Sequence, residues 1–279
     1  MEDDAKLKIK NEKLKIKGVL KLIRVWLMVS SRAAQSQLLT NWAGVLFLLG
    51  KVIRFLLFFL FLFVILGKNN SLVGYTREQV ILFFLEFNLI DITTQFFFRG
   101  VYVFRPLVVS GNFDLDLLRP LPSFFRPIFG WTDVLDLITL IPLWIYFIWF
   151  IIFHNLIFNS MDVILFFFFL LNSLIVAFSL HLFVCSICLL TTEIDHMIMV
   201  YRDLTNMARF PTEIYQKGIQ FILTFPIPII ILITVPAKAL MGLLSWQMAG
   251  FSFLIGIIFL KWSFKFWQYS LKRYSSASS

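Results

Sequence analysis

Charge is scarce in this sequence. Asp, Glu, Lys and Arg together make up 15% of 279 residues, against 59% hydrophobic residues. A soluble domain carries about 25% charged residues, and the mean hydropathy of +0.86 excludes that class. Cysteine is rarer still: Cys185 and Cys188 both sit inside one apolar run, so no disulfide framework is implied. Only three histidines occur (His154, His181 and His196), all in or beside apolar stretches, and no nucleophile–base–orienter set can be assembled from them. G-x-x-x-x-G-K-[ST] is missing, which excludes ATP binding by that loop. Strict apolar–polar alternation is missing too, which argues against an outer-membrane barrel. The first residues are charged and the first long apolar run comes late, so no cleavable signal is expected.

What is abundant is apolar length. Several windows exceed the roughly 20 residues that a helix needs to cross a bilayer, and Phe alone contributes 35 residues, many in runs such as Phe166–Phe169. Lipid accepts Phe, Leu and Ile almost interchangeably, so these runs are read as lipid-facing volume. The fold expected is all-α: a polytopic membrane protein with six transmembrane helices in one domain, residues 18–279. A polybasic extension, residues 1–17, precedes it and repeats Lys-Leu-Lys-Ile-Lys at 6–10 and 13–17. Residues 18–40 set Leu20, Ile23, Trp26 and Leu27 against Lys21, Arg24 and Arg32, the pattern of an amphipathic helix lying in the interface. Spans follow at about 41–66, 76–104, 128–153, 162–190 and 246–267. Lys and Arg cluster in the amino-terminal arm, in residues 105–127 and in the tail, whereas 154–161 has none. The positive-inside rule therefore places both termini in the cytoplasm and requires an even number of spans. The same rule reads the net charge of +9 as membrane orientation, with no nucleic-acid partner. One crossing must come from 191–245. Positive-inside counting favours 218–235, and the alternative is 194–210.

Residues 105–127, RPLVVSGNFDLDLLRPLPSFFRP, interrupt two very hydrophobic spans on the cytoplasmic side. Within them Gly111–Pro120 predicts a short helix. Asp114 and Asp116 stand near its start and Arg119 at its end, as the helix dipole prefers, and Pro120 stops it. Leu115, Leu117 and Leu118 give it a sticky face that can dock a soluble partner. This stretch, with Ala208–Tyr215 (ARFPTEIY), Leu223–Pro228 (LTFPIP), Pro236, Leu240–Gly242 and the closing Arg273–Ser278, resembles type 2 ABC transporter permeases, in particular a bacterial branch encoded beside a second permease and a separate ATPase.

The resemblance implies a permease subunit of an ATP-binding-cassette export system in the bacterial cytoplasmic membrane. An ATPase would dock on Gly111, Asp114, Asp116, Leu117, Leu118, Arg119 and Pro120. ATP and Mg would be held by that partner, with no cofactor on this chain and a second permease completing a heterodimer. It also favours 194–210 as the fifth span, followed by a re-entrant outer segment. Two departures stand out: the basic arm is long, and Gln216 replaces an expected proline.

Polar residues inside the spans are the other candidates. Lys51 and Arg54 fall mid-way along the first span, where each charge costs about 2.5–3.5 kcal/mol on insertion scales. Hairpin symmetry sets them opposite Asp91, so an intramembrane pair is one outcome, and snorkelling to the inner headgroups is the other. Glu86, Asn88 and Gln95 are candidates for the translocation path. An ion-coupled secondary transporter using these charges is the alternative function, and the inverted repeats that would support it are not found. Asp133 and Asp136 are expected to cap or solvate the third span. His181, Cys185 and Cys188 share a helix face but lack a second ligand pair, so packing is preferred over a metal site. Glu193, Asp195 and His196 are expected to form a wetted turn.

Overall fold

Open backbone hydrogen bonds are too costly in hydrocarbon to persist, so apolar runs of this length fold as helices. A computed structural model describes residues 2–38, 41–67, 71–154, 156, 158–191 and 195–275. Glu193 lies outside the described residues, as do the side chains of Asp195 and His196 and those of residues 1–17.

The chain begins with α1 (Glu2–Leu38), one helix of 37 residues that runs through both the basic extension and the segment expected to begin at Gly18. Trp26 ties it to the bundle by stacking on Phe97 at 5.6 Å. Gln37 brackets the start of a later span, donating to the Thr132 carbonyl at 3.0 Å and accepting from the Val134 amide at 2.9 Å. Next comes α2 (Asn41–Leu66), as expected for the first span. A hairpin of two-residue strands, β1 (Ser71–Leu72) and β2 (Tyr75–Thr76), turns the chain, with positive φ at both Val73 and Gly74.

Thr76 then caps α3 (Arg77–Phe98) in a reciprocal capping box with Gln79. The second span is longer than expected. After a break at Arg99–Gly100, α4 (Val101–Val109) continues it, so Arg105 and Pro106 are helical and the insert begins at Ser110. Gly100 is required there, because a Cβ would sit 2.7 Å from the carbonyl oxygens of Pro127 and Ile128. The insert holds α5 (Asn112–Leu117) and α6 (Phe125–Phe129), the latter a separate piece of what was expected as the start of the third span.

Asp133 caps α7 (Val134–Phe153), accepting from the Leu135 amide at 3.0 Å. Beyond it run α8 (Ser160–Thr191), α9 (Asp195–Met207), a 3-10 turn at Thr212–Ile214, α10 (Lys217–Thr224), α11 (Ile229–Leu240) and α12 (Trp246–Arg273). Among the described residues, five helices are long and apolar enough to span a membrane: α2, α3 with α4, α7, α8 and α12. The pair α10–α11, bent by 96°, makes a sixth if counted as one span. The helix at the preferred fifth span is not in that set: α9 has 13 residues, about 20 Å at 1.5 Å per residue, short of the roughly 30 Å hydrocarbon core.

α8 is the hub, with α12, α11 and α3 packed around it. Against α12 the approach is close. Asn172 donates to the Ser252 carbonyl at 3.2 Å, and a Cβ on Gly256 would lie 2.2 Å from the Asn172 amide oxygen. The buried face of α12 is mostly small (Ala249, Ser252, Gly256, Ser263 and Ser270), the composition that lets membrane helices pack without a hydrophobic driving force. By contrast, α2 leaves nearly its whole apolar surface uncovered.

Candidate functional site

The insert between the second and third spans folds as a knob on an aromatic post. In α5, Phe113 is fully buried and meets Phe104 edge-on at 5.1 Å, Tyr274 at 5.5 Å and Trp267 at 6.3 Å. One ring thus touches α4, α12 and the segment after α12. Gly111 enters α5 in the left-handed region (φ 72°). The indole of Trp267 donates to the Ser123 hydroxyl at 2.9 Å, fixing the return limb of the insert to the same helix.

The docking residues expected from the sequence divide into two groups. Leu117, Leu118, Arg119 and Pro120 are exposed, with Leu118 at 82% and Leu115 beside them at 58%. Asp116 instead turns inward: it is buried, accepts from Arg126 at 2.8 Å and lies 3.4 Å from Arg119. It holds the two limbs of the insert together and leaves the exposed surface to the leucines. Asp114 is half-buried beside the Tyr274 hydroxyl, and burial together with that carboxylate pushes Tyr274 up to about 12. Arg126, counted in the sequence only as a loop charge that sets orientation, is the cation that binds Asp116.

The intramembrane pairing differs from the hairpin estimate. Lys51 binds Asp136 of α7, and no described ion pair joins Asp91 to Lys51 or Arg54. Asp91 accepts from Gln95 at 2.8 Å, Gln95 accepts from Arg99 at 3.3 Å, and Arg99 lies 3.4 Å from Asp133. These residues form a polar ladder running down α3 to the α7 cap. Asp136 is wholly buried, which corrects its expected solvated position. The cause is geometric: the hairpin argument considered only α3 as a neighbour of α2, and α7 packs on α2 as well.

A cavity of about 450 Å³ opens between α2, α3 and α7. Lys51, Arg54 and Arg209 bring three cations to its wall, with Asn88, Gln95 and Thr139 as neutral polar groups and Phe55, Phe58, Phe84 and Tyr146 as aromatic ones. Two of the three expected path residues, Asn88 and Gln95, therefore face a cavity. Glu86 does not: it is fully buried, and neither carboxyl oxygen has a partner among the described residues. Arg209 lies over the rings of Phe58 and Phe87, each at 5.2 Å, and donates to Asn206 at 2.6 Å. It belongs to the ARFPTEIY stretch, and its apolar neighbours Ala208 and Phe210 were the signal that this charge is carried into the protein.

At the opposite end from the knob, Glu213 of the same stretch binds Lys238 of α11 and accepts from Tyr75 of β2 at 3.1 Å. Partial burial alone would raise the Glu213 carboxyl. The Lys238 and Tyr75 hydrogen bonds and the Lys238 charge overcome that and hold it below its usual range. His181 is committed to packing: its ring bonds the Ala177 carbonyl at 2.7 Å and lies between Phe98 and Tyr201, at 5.4 and 4.7 Å. Cys185 lies 3.9 Å from the Pro127 carbonyl, to which its thiol donates.

The chain thus combines long apolar helices, an exposed knob rooted on two of them and a cavity lined by three cations. Residues 52–278 match the family described as ABC-2 family transporter protein. The chain belongs to that family. As an ABC-2 family member it is a multi-pass membrane component of a transporter, and membership implies an ATP-binding-cassette ATPase as partner. No curated protein and no solved structure matches the chain.

Proposed function

We propose that this chain is the permease subunit of an export system, forming part of the translocation path and driven by a separate ATPase that docks on α5. The observation that carries the reading is the leucine knob. Leu115, Leu117 and Leu118 are exposed, while Phe113 directly behind them is packed on α4 and α12. A push on the knob is passed by a single buried ring to two spanning helices, and protein interiors transmit such displacements because they are close-packed. ATP and Mg are held by the partner. The exposed apolar face of α2 suits a second, non-identical permease.

In this reading both termini face the cytoplasm of a bacterial inner membrane. The fifth crossing is residues 194–210, α9 with the short stretch after it. Its support is a sequence of contacts from Tyr201 on His181, through Arg209 on Phe58 and Phe87, to Glu213 on Tyr75 beside the α2–α3 turn. The bent pair α10–α11 is then a re-entrant segment in the outer leaflet, returning Lys238 to Glu213.

The test is co-purification. Leu117→Lys with Leu118→Lys should insert normally and lose an ATPase that the unaltered chain retains. Equal ATPase recovery from both chains would remove the knob from the mechanism.

A further inference from the structure

The cavity between α2, α3 and α7 has a mouth as well as a charge. Val52 and Leu56 of α2 and Ile138 of α7 line it and are exposed at 49%, 58% and 45%, so it opens sideways on the apolar flank of the bundle. Inside, Lys51 is neutralised by Asp136, but Arg54 has no hydrogen-bond or ion-pair partner among the described residues. Arg209 has a neutral amide and two ring faces, and its Nε is buried without an acceptor. Setting Asp136 and Asp91 against Lys51, Arg54 and Arg209 leaves one positive charge over. A mostly apolar pocket of this size is in the range that takes drug-sized ligands, and a guanidinium in such a setting favours a bidentate anion.

We propose that this cavity binds an amphiphile with a single anionic head group, admitted from the bilayer between α2 and α7. Arg54 and Arg209 hold the head group, and Phe55, Phe58 and Tyr146 flank the tail. The proposal rests on reading the cavity as part of the transport path, and it names the class of cargo that path accepts. A free anion does not account for the aromatic wall or the sideways mouth, and an uncharged lipid does not account for two arginines.

Binding is measured on the purified chain in a neutral maltoside detergent, without any ATPase, by native mass spectrometry with three probes. These are dodecyl phosphate, dodecanol (the tail alone) and inorganic phosphate (the head alone). Dodecyl phosphate should bind at one site, and neither of the others should compete at tenfold its concentration. Arg54→Gln and Arg209→Gln should each weaken it about tenfold, while Arg54→Lys stays within about threefold and Lys261→Gln on α12 changes nothing. Competition by inorganic phosphate would make this a free-anion site, and competition by dodecanol an apolar groove. Unchanged affinity in both glutamine variants would place the ligand elsewhere. If binding is absent only when a second permease is co-purified, an acid of that subunit is the occupant. Each of these four results overturns the proposal. None of them touches the permease reading, which is tested separately by ATPase recovery.

Discussion

Removing either member of the Lys51–Asp136 pair should damage the protein, and by unequal amounts. Asp136 is completely buried and its second carboxyl oxygen has no partner among the described residues, so Lys51→Met strands a carboxylate that can find nothing else. The cost of breaking a buried pair from one side is about 3–5 kcal/mol, and this variant belongs at the upper end. Asp136→Leu strands Lys51, whose side chain keeps 15% exposure and has the Phe47 ring 4.8 Å away. A cation–π contact is worth about 0.5–2 kcal/mol, so this loss falls at the lower end. Combining the two replaces an ion pair with apolar volume, a change that is often neutral. The double variant should therefore be more stable than either single one, its loss falling well short of the sum of the two single losses. Thermal unfolding in detergent of the four proteins gives the cycle directly. If the double variant loses the sum of the two single losses, the residues do not interact and the account of the α2–α7 contact is wrong.

Phe113→Ala removes the fully buried ring behind the knob and should cost about 3–5 kcal/mol locally. Hydrogen exchange should rise at residues 111–120 and at the end of α12, and unchanged protection would mean the ring does not link them. Lys217→Cys, in a chain with Cys185→Ala and Cys188→Ala, should react with an impermeant thiol reagent added to intact cells. Labelling only after lysis would move the fifth crossing to 218–235. The Glu213 carboxyl is held below its ordinary value of 4.5 in the folded protein. Its contribution is thus present above that value and lost as pH falls through the lower folded value. Acid should loosen the Tyr75–Glu213–Lys238 contact in this pH range, read by exchange at residues 71–76, and Glu213→Gln should abolish that pH dependence. The effect is small, because the carboxylate is about one-third exposed and solvent screens it.

Much of the helix layout was legible because hydrocarbon imposes length and composition together. The α2 boundaries coincide with those expected for residues 41–66, and α8 and α12 begin within two residues of expectation. The short helix of the insert was legible from its charges and its terminating proline. What failed was anything that depends on which helices touch. Hairpin symmetry assigned Asp91 to Arg54, with Lys51 as the fallback partner, because sequence order suggests α3 as the neighbour of α2 and says nothing of α7. Asp116 looked like a surface charge, and no local pattern reveals that Arg126, ten residues on, draws it inward. Span 128–153 was drawn too long because Phe125–Phe129 is apolar and helical, and Gly130 and Asp133 are the signals that separate it from α7.

The central claim is that a soluble ATPase sits on the leucines of α5. A photo-crosslinking amino acid at Leu118, the most exposed residue of the knob, answers it in one experiment on membranes from cells that express the whole system. Illumination should join this chain to one soluble protein whose peptides contain G-x-x-x-x-G-K-[ST]. Adducts with lipid or with other membrane proteins only, while the same probe on the far end at Leu243 behaves alike, would contradict it.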